Sequence, residues 1–173
     1  ALYIAADRSE HDSKDDVFPV LQAAARLSDD PAVRCAALIC DTGIDTPTLD
    51  QLCERLRAPN AYRELANQAI SHRNQVHSIT ELSASGVLDL LGALDAFRRP
   101  RRFEDFLQVC RADAGAHQHN HDSQYPPAEL LRQAFAAARS VDTGALTGTG
   151  LSGPEIGQKL RTLRITAIEQ LME

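Results

Sequence analysis

The sequence has few aromatic residues and no tryptophan, and this scarcity limits the kind of core that it can form. Apolar residues make up 43% of its 173 residues but aromatic residues only 5%, so leucine, alanine, isoleucine and valine must fill the interior. That mixture favours helices over sheets, and no segment shows the sustained alternation of β-branched residues that is typical of strands. We therefore predict an all-α fold.

Several other signals are missing. No apolar run approaches the ~20 residues that a membrane-spanning helix needs, and no signal peptide is visible. The four cysteines, Cys35, Cys40, Cys53 and Cys110, show no C-x-x-C spacing, which favours reduced thiols over a disulfide or zinc framework. We expect a cytoplasmic protein with no membrane partner. Because the chain begins at Ala1 rather than at a methionine, we also expect a piece of a longer protein.

The net charge of −6 argues against a generally basic surface that coats nucleic acid. Sixteen of the 18 basic residues are nevertheless arginines, which bind phosphate groups with a two-pronged geometry. The densest cluster lies on both sides of Pro100, and a second patch lies near the end of the chain. Arginines near a helix end also pair with carboxylates, here Asp95, Glu104 or Asp105, so a purely structural role stays open. The RNA-binding candidates are Arg98, Arg99, Arg101, Arg102, Arg161 and Arg164.

Helical periodicity and helix-start signals divide the chain into eight segments and two loops. Pro100 marks the boundary that we predict between a first region, 1–100, and a C-terminal helical region, 101–173, which packs on it and shares its core. Loops are expected over 114–127 and 142–153, where glycine, proline and histidine collect. The predicted helices span 17–28, 31–40, 47–57, 59–72, 85–97, 102–114, 127–140 and 154–172.

The first of these loops contains a cluster of alternating histidines, His117, His119 and His121. In an extended segment alternate side chains point the same way, so the three imidazoles could converge on Zn²⁺ or Ni²⁺. A solvated polar loop is the alternative interpretation.

The stretch Ala37-Leu38-Ile39-Cys40-Asp41-Thr42-Gly43 resembles the metal site of His-Asp (HD) phosphohydrolases. In those enzymes an apolar helix ends in an adjacent His-Asp pair that is soon followed by glycine. Here the aspartate and the glycine are present, but Cys40 stands where the histidine would be.

A second resemblance to a known family rests on motifs that are spread along nearly the whole chain. The run from Leu94 to Glu104, read LDAFRRPRRFE, is similar to a stretch of bacterial multifunctional CCA proteins, which are tRNA nucleotidyltransferases with a C-terminal HD domain. The resemblance covers only the C-terminal portion of that family, without its nucleotidyltransferase head. Further matches, in chain order, are Val33-Arg34-Cys35-Ala36-Ala37-Leu38, the run from Leu52 to Asn60, Arg111-Ala112-Asp113, Tyr125-Pro126, the run from Gly153 to Gly157, Leu160-Arg161 and Arg164-Ile165.

The resemblance implies an HD-like helical domain whose metal site has degenerated. The family's HD domain is a metal-dependent phosphohydrolase that acts on 2′,3′-cyclic nucleotides, 2′-nucleotides and phosphate esters. The His-rich segment that follows the glycine in the family is absent after Gly43, and His72 and His77 are left over near the former pocket. The family's metal ligands fall on Asp16, Cys40, Asp41 and Asn74.

We therefore expect a domain without an active site or a cofactor of its own. The resemblance implies a parent protein that uses Mg²⁺ in its head to transfer CMP and AMP to the 3′ end of tRNA, with this region as scaffold, tRNA contact or oligomerisation surface, and leaves a homodimer open. Two alternatives remain at this point. One is an altered phosphohydrolase that uses Asp16, Cys40 and Asp41, with His72 or His77 as a further candidate, and the other is a stand-alone interaction module.

Overall fold

The computed structural model describes residues 17–118, 124–142 and 152–172, and within these ranges the backbone forms helices and no strand. The all-α prediction is confirmed. A short 3₁₀ turn, Ile79–Glu81, is the remaining regular element of the described part. The helices are α1 (Pro19–Leu27), α2 (Pro31–Thr42), α3 (Thr46–Leu56), α4 (Asn60–His77), α5 (Ala84–Ala93), α6 (Pro100–Gln118), α7 (Pro126–Ser140) and α8 (Gly153–Met172).

Local sequence explains where several of these helices begin and end. A proline lies in the first turn of α1, α2, α3 and α7, where a missing N–H costs no helical hydrogen bond. Asp30 caps α2 by accepting a hydrogen bond from the Ala32 N–H at 2.8 Å, and Asp45 caps α3 in the same way. Gly43 ends α2 in the left-handed conformation, with a φ of 65°, which favours glycine.

Several predicted boundaries are wrong. Helix α5 ends at Ala93 instead of continuing to residue 97. Helix α4 continues to His77 instead of ending near residue 72. Helix α6 begins at Pro100 instead of at residue 102, because a proline suits the first helical position. Helix α6 then runs through Gly115 to Gln118, into the predicted 114–127 loop, since a helix tolerates a glycine at a cost of only about 1 kcal/mol.

Helix α6 lies at the centre of the fold. It packs against α1, α2 and α4, and it buries Phe103, Phe106 and Leu107. Helix α8 packs against α5 and α7 and buries Ile168. Buried residues from both sides of Pro100 form one apolar cluster, in agreement with the expected shared core. The division into 1–100 and 101–173 stays a prediction.

The cysteines form no disulfide. Cys40 and Cys110 are buried, and Cys35 and Cys53 are half-buried. None of the helices that the structure describes combines the length and the apolar character needed to cross a membrane.

Candidate functional site

A cleft of about 710 Å³ opens where α1, α2, α4 and α6 meet the segment 124–127. Three of the four positions that the HD resemblance predicts, Cys40, Asp41 and Asn74, line this cleft. The fourth, Asp16, lies outside the described residues. These three side chains therefore lie around one depression in the surface. The chemistry of this depression depends on what they contact.

The Asp41 carboxylate is directed at the first turn of α1. Its Oδ1 accepts a hydrogen bond from the Val20 N–H at 3.1 Å, and its Oδ2 accepts one from the Leu21 N–H at 2.9 Å. The residue that precedes α1, Phe18, gives that helix no side-chain cap. Asp41 therefore supplies from the end of α2 the acceptors that a helix start requires, and it fastens α1 to α2.

Cys40 is a buried thiol, with only 9% of its surface exposed. Burial raises its pKa to about 12; the positive charge of Arg73 opposes this shift, whereas the carboxylates of Asp113 and Asp41 add to it. Because the thiolate is the form that attacks a substrate, Cys40 is unsuited to act as a nucleophile near neutral pH. It fills space between helices.

These described residues do not fit the divalent metal that the HD resemblance would imply. A hydrolytic metal centre needs about three protein donors around an open position. Within 17–118, 124–142 and 152–172, no three His, Cys, Asp or Glu side chains come close enough together to hold an ion. Of the predicted ligands in these ranges, one is a protonated thiol and one is a helix cap.

Tyr125, His77 and Asp113 form a hydrogen-bonded chain on one wall of the same cleft, and we call this chain the histidine relay. The Tyr125 hydroxyl donates to Nδ1 of His77 at 2.7 Å, which leaves the Nε2–H to donate to Oδ2 of Asp113 at 2.8 Å. Burial raises the pKa of Tyr125, so the phenol keeps the proton that it donates. The two rings meet edge to face. This relay ties the end of α4 and the start of α7 to the middle of α6.

The sequence did not reveal this relay, although all three of its members, His77, Asp113 and Tyr125, are among the residues noted above. Asp113 and Tyr125 stood in the family motifs, but nothing in the sequence placed them beside His77. His72, which was paired with His77 as a remnant, contacts Gln75 at 2.9 Å and does not line the cleft.

Two residues of the predicted arginine cluster are held by carboxylates. Arg99 contacts Glu64 at 2.6 Å, and Arg102 hydrogen-bonds the same carboxylate. Both also lie within 3.6 Å of Asp95. Of the expected acidic partners, Asp95 is thus used, whereas Glu104 pairs with Arg132 on α7 at 2.8 Å. Only 18% of the Arg102 side chain is exposed.

The other two arginines of the cluster point outward. The side chains of Arg98 and Arg101 are 81% and 89% exposed. Their ion pairs are long, 3.5 Å from Arg98 to Asp95 and 3.9 Å from Arg101 to Asp30. Exposed pairs of this kind contribute little to stability and separate easily.

The arginines of the second patch contact their own protein. Arg161 forms a two-pronged pair with Asp89 at 2.6 and 3.1 Å, which raises the pKa of Arg161 and lowers that of Asp89. Arg164 lies over the ring of Phe97, 4.4 Å from its centre. Both contacts fasten α8 to α5 and to the residues that follow it.

Most of the predicted histidine cluster lies outside the residues that the structure describes. His119 and His121 lie outside the described residues, and of His117 only the backbone, at the end of α6, is described. The proposed Zn²⁺ or Ni²⁺ site therefore stays a prediction.

Comparison with known proteins supports the family resemblance. The chain is 42% identical over 168 residues to a multifunctional CCA protein of Nitrosococcus oceani, covering 87% of this chain and 41% of that protein. It is 40% identical over 169 residues to the multifunctional CCA protein of Thioalkalivibrio sulfidiphilus, with 88% and 41% covered. For that of Alkalilimnicola ehrlichii the identity is 36% over 179 residues, with 94% and 43% covered.

The predicted resemblance to multifunctional CCA proteins is thereby confirmed, and the chain spans about two fifths of the length of these relatives, a coverage consistent with the C-terminal portion. No family model matches the chain, and no solved structure matches it.

Proposed function

We propose that this chain is a helical domain of a CCA-adding tRNA nucleotidyltransferase, that it has no hydrolytic centre of its own, and that it contacts tRNA. The observation that carries the proposal is homology to multifunctional CCA proteins along about nine tenths of the chain. In such a parent protein, the transfer of CMP and AMP would take place in another domain, with Mg²⁺ bound there.

The chemistry of the cleft supports the absence of a hydrolytic centre. Metal-assisted hydrolysis needs a bound water whose pKa is lowered by a firmly held cation. Asp41 instead caps α1, and Cys40 is a protonated, buried thiol. An altered phosphohydrolase built on these residues would have to release the first turn of α1 to gain a ligand.

The exposed arginines near Pro100 support the contact with tRNA. Arg98 and Arg101 extend into solvent from backbone that Arg99 and Arg102 anchor to Glu64 and other acidic groups. Their guanidinium groups are accessible, and each can donate two parallel hydrogen bonds to phosphate oxygens. The acidic net charge of the chain then confines RNA to such local patches.

The test is a titration of labelled tRNA with the 173-residue chain at several salt concentrations. We would compare the wild type with an Arg98→Ala/Arg101→Ala double variant and with an Arg26→Ala/Arg55→Ala control, which removes the same charge from exposed positions on α1 and α3. Since each phosphate contact adds about 0.7 to 0.9 to the slope of log affinity against log salt, loss of the two arginines should reduce that slope by about 1.4 to 1.8.

Salt-dependent binding that the double variant weakens and the control retains would support the proposal. Equal weakening in both variants, or no binding at moderate salt, would contradict the contact with tRNA. In the second case, sedimentation of the chain would show whether the same surface serves a homodimer.

A further inference from the structure

Two residues of the described chain other than glycine have a left-handed backbone. Arg57 has a φ of 51° and Asp95 a φ of 53°. In this conformation the Cβ atom lies too close to the carbonyl oxygen that follows, which costs free energy in residues other than glycine. Asparagine and aspartate adopt it more often than other residues do, whereas an arginine rarely does. Such an outlier therefore needs a compensating contact or a function.

Asp95 has its compensation within the protein. Its carboxylate lies 3.5 Å from Arg98 and from Arg99, and 3.6 Å from Arg102. These ion pairs with the arginine cluster offset the strain, and an aspartate is among the residues that accept this conformation most readily. The left-handed backbone at Asp95 therefore has a structural explanation.

Arg57 has no comparable compensation. It follows α3 directly, and its N–H donates to the carbonyls of Cys53 and Glu54, at the position where a helix end usually has glycine. Its side chain is exposed, and within the described residues it forms no ion pair and no hydrogen bond. A positive charge near the C-terminus of a helix is favourable, but Arg55 in the last turn of α3 already supplies one.

The corner between α3 and α4 combines this arginine with an apolar side chain and lies beside the arginine cluster. Leu56 is 65% exposed. Helix α4 begins soon after Arg57, at Asn60. Glu64, which holds the anchored arginines of the cluster, lies one turn further along the helix, about 6 Å away. The corner and the cluster are therefore neighbours along α4.

We propose that this corner binds a backbone phosphate of tRNA through Arg57, with Leu56 against the adjoining ribose or base. A guanidinium donates two parallel hydrogen bonds to phosphate oxygens, and unstacked bases gain from contact with apolar surface. Glycine at position 57 would relieve the strain but would leave no group to hold the phosphate. This inference rests on the proposed function and extends the contact with tRNA beyond Arg98 and Arg101.

The experiment compares Arg57→Gly with the wild-type 173-residue chain, both in the titration of labelled tRNA at several salt concentrations and in urea denaturation. Loss of one phosphate contact should weaken binding about tenfold and reduce the slope of log affinity against log salt by about 0.7 to 0.9. The same variant should have an equilibrium constant for unfolding about fivefold smaller, because glycine removes the left-handed strain. Arg55→Ala is the matched control, since it removes an exposed arginine from the regular part of α3 and should leave affinity and slope unchanged.

An Arg57→Gly variant that is more stable but binds tRNA more weakly and with a smaller slope, beside an unchanged Arg55→Ala, would support the inference. Overturning results are wild-type affinity in Arg57→Gly, equal weakening in Arg55→Ala, or a loss of stability in Arg57→Gly, which would show that the arginine serves the fold. Self-association that Arg57→Gly abolishes while tRNA binding is unchanged would assign the corner to a protein contact and would equally overturn it.

Two further comparisons keep the result decisive. Should Arg57→Gly not fold, Arg57→Asn takes its place, because asparagine is neutral and accepts the left-handed conformation. Binding that the Arg98→Ala/Arg101→Ala variant weakens but Arg57→Gly retains would overturn this inference alone. An absence of tRNA binding by the wild-type chain would overturn both this inference and the proposed contact with tRNA.

Discussion

The arginine cluster at 98–102 and the cleft beside Asp41 satisfy their charges in different ways. In the cluster, Arg102, the most buried arginine, and Arg99 are both paired with Glu64, whereas the exposed Arg98 has only a long contact. In the cleft, Asp41 is engaged by the backbone of α1, and the half-buried Arg111 forms no ion pair within the described residues. A dense run of like charges can thus be largely structural, whereas a single arginine elsewhere in the chain has no ion pair within the described residues.

The largest expected loss of stability is at Asp41, whose carboxylate accepts two hydrogen bonds from the start of α1. Asp41→Ala removes two hydrogen bonds to the start of α1 and should lower the free energy of unfolding by about 2–3 kcal/mol, measured by urea denaturation. Asp45→Ala is the control, because Asp45 caps α3 at an exposed position, and it should cost less. An Asp41 variant as stable as the wild type would remove the structural role given to this carboxylate.

The next effect sharpens the contrast within the arginine cluster. Arg102→Ala leaves Glu64 and Asp95 without their most buried partner and should cost about 1–2 kcal/mol of stability. Arg98→Ala should change stability by less than about 0.5 kcal/mol, because its side chain lies in water. Similar costs for the two variants, in the same denaturation assay, would show that the distinction between anchored and free arginines is wrong.

A smaller effect is expected in the histidine relay. Tyr125→Phe removes the donor to Nδ1 of His77 and should cost about 1 kcal/mol. Tyr62→Phe on α4 is the matched control, since the described residues give the Tyr62 hydroxyl no hydrogen bond, and its thermal unfolding should resemble that of the wild type. Equal unfolding temperatures for the two variants would indicate that the relay contributes no stability.

The smallest expected effect on stability at neutral pH comes from the ionisation of the Cys40 thiol. Its pKa is about 12 in the folded state against 9.0 for an ordinary thiol. The stabilisation linked to this shift is therefore complete below pH 9 and is lost as the pH rises from 9 towards 12, because only the unfolded chain releases the proton in that range. Iodoacetamide at pH 8.5 should modify Cys35 and Cys53 faster than Cys40, as mass spectrometry of digests would show. Rapid modification of Cys40 in the folded protein would contradict its burial.

Much of the fold could be predicted from the sequence, because local signals carry it. Pro31 and the Thr46-Pro47 pair marked helix starts correctly, whereas the predicted end of α2 at residue 40 came two residues before the observed end at Thr42. The start of α6 was predicted two residues late, at 102, since a proline is compatible both with the end of one helix and with the first position of the next.

The site was harder to predict, because it depends on contacts between distant residues. The resemblance pointed to Cys40, Asp41 and Asn74, and these residues line one cleft in the structure. Nothing in the sequence indicated that Asp41 would turn to the backbone of Val20, or that His77 would lie between Asp113 and Tyr125, residues that are 36 and 48 positions away. Such pairings follow from the packing of α6 against α1 and α4, which no local pattern specifies.

The most direct test of the central claim is an assay of 2′,3′-cyclic AMP hydrolysis by the purified chain, with Mg²⁺, Mn²⁺, Ni²⁺ or Zn²⁺ added in turn and Asp41→Asn measured beside the wild type. We expect no metal-stimulated hydrolysis above the rate without protein, either for the wild type or for Asp41→Asn. Stoichiometric metal binding with hydrolysis that the wild type performs and a folded Asp41→Asn variant loses would contradict it, and would make Asp41 a ligand rather than a helix cap.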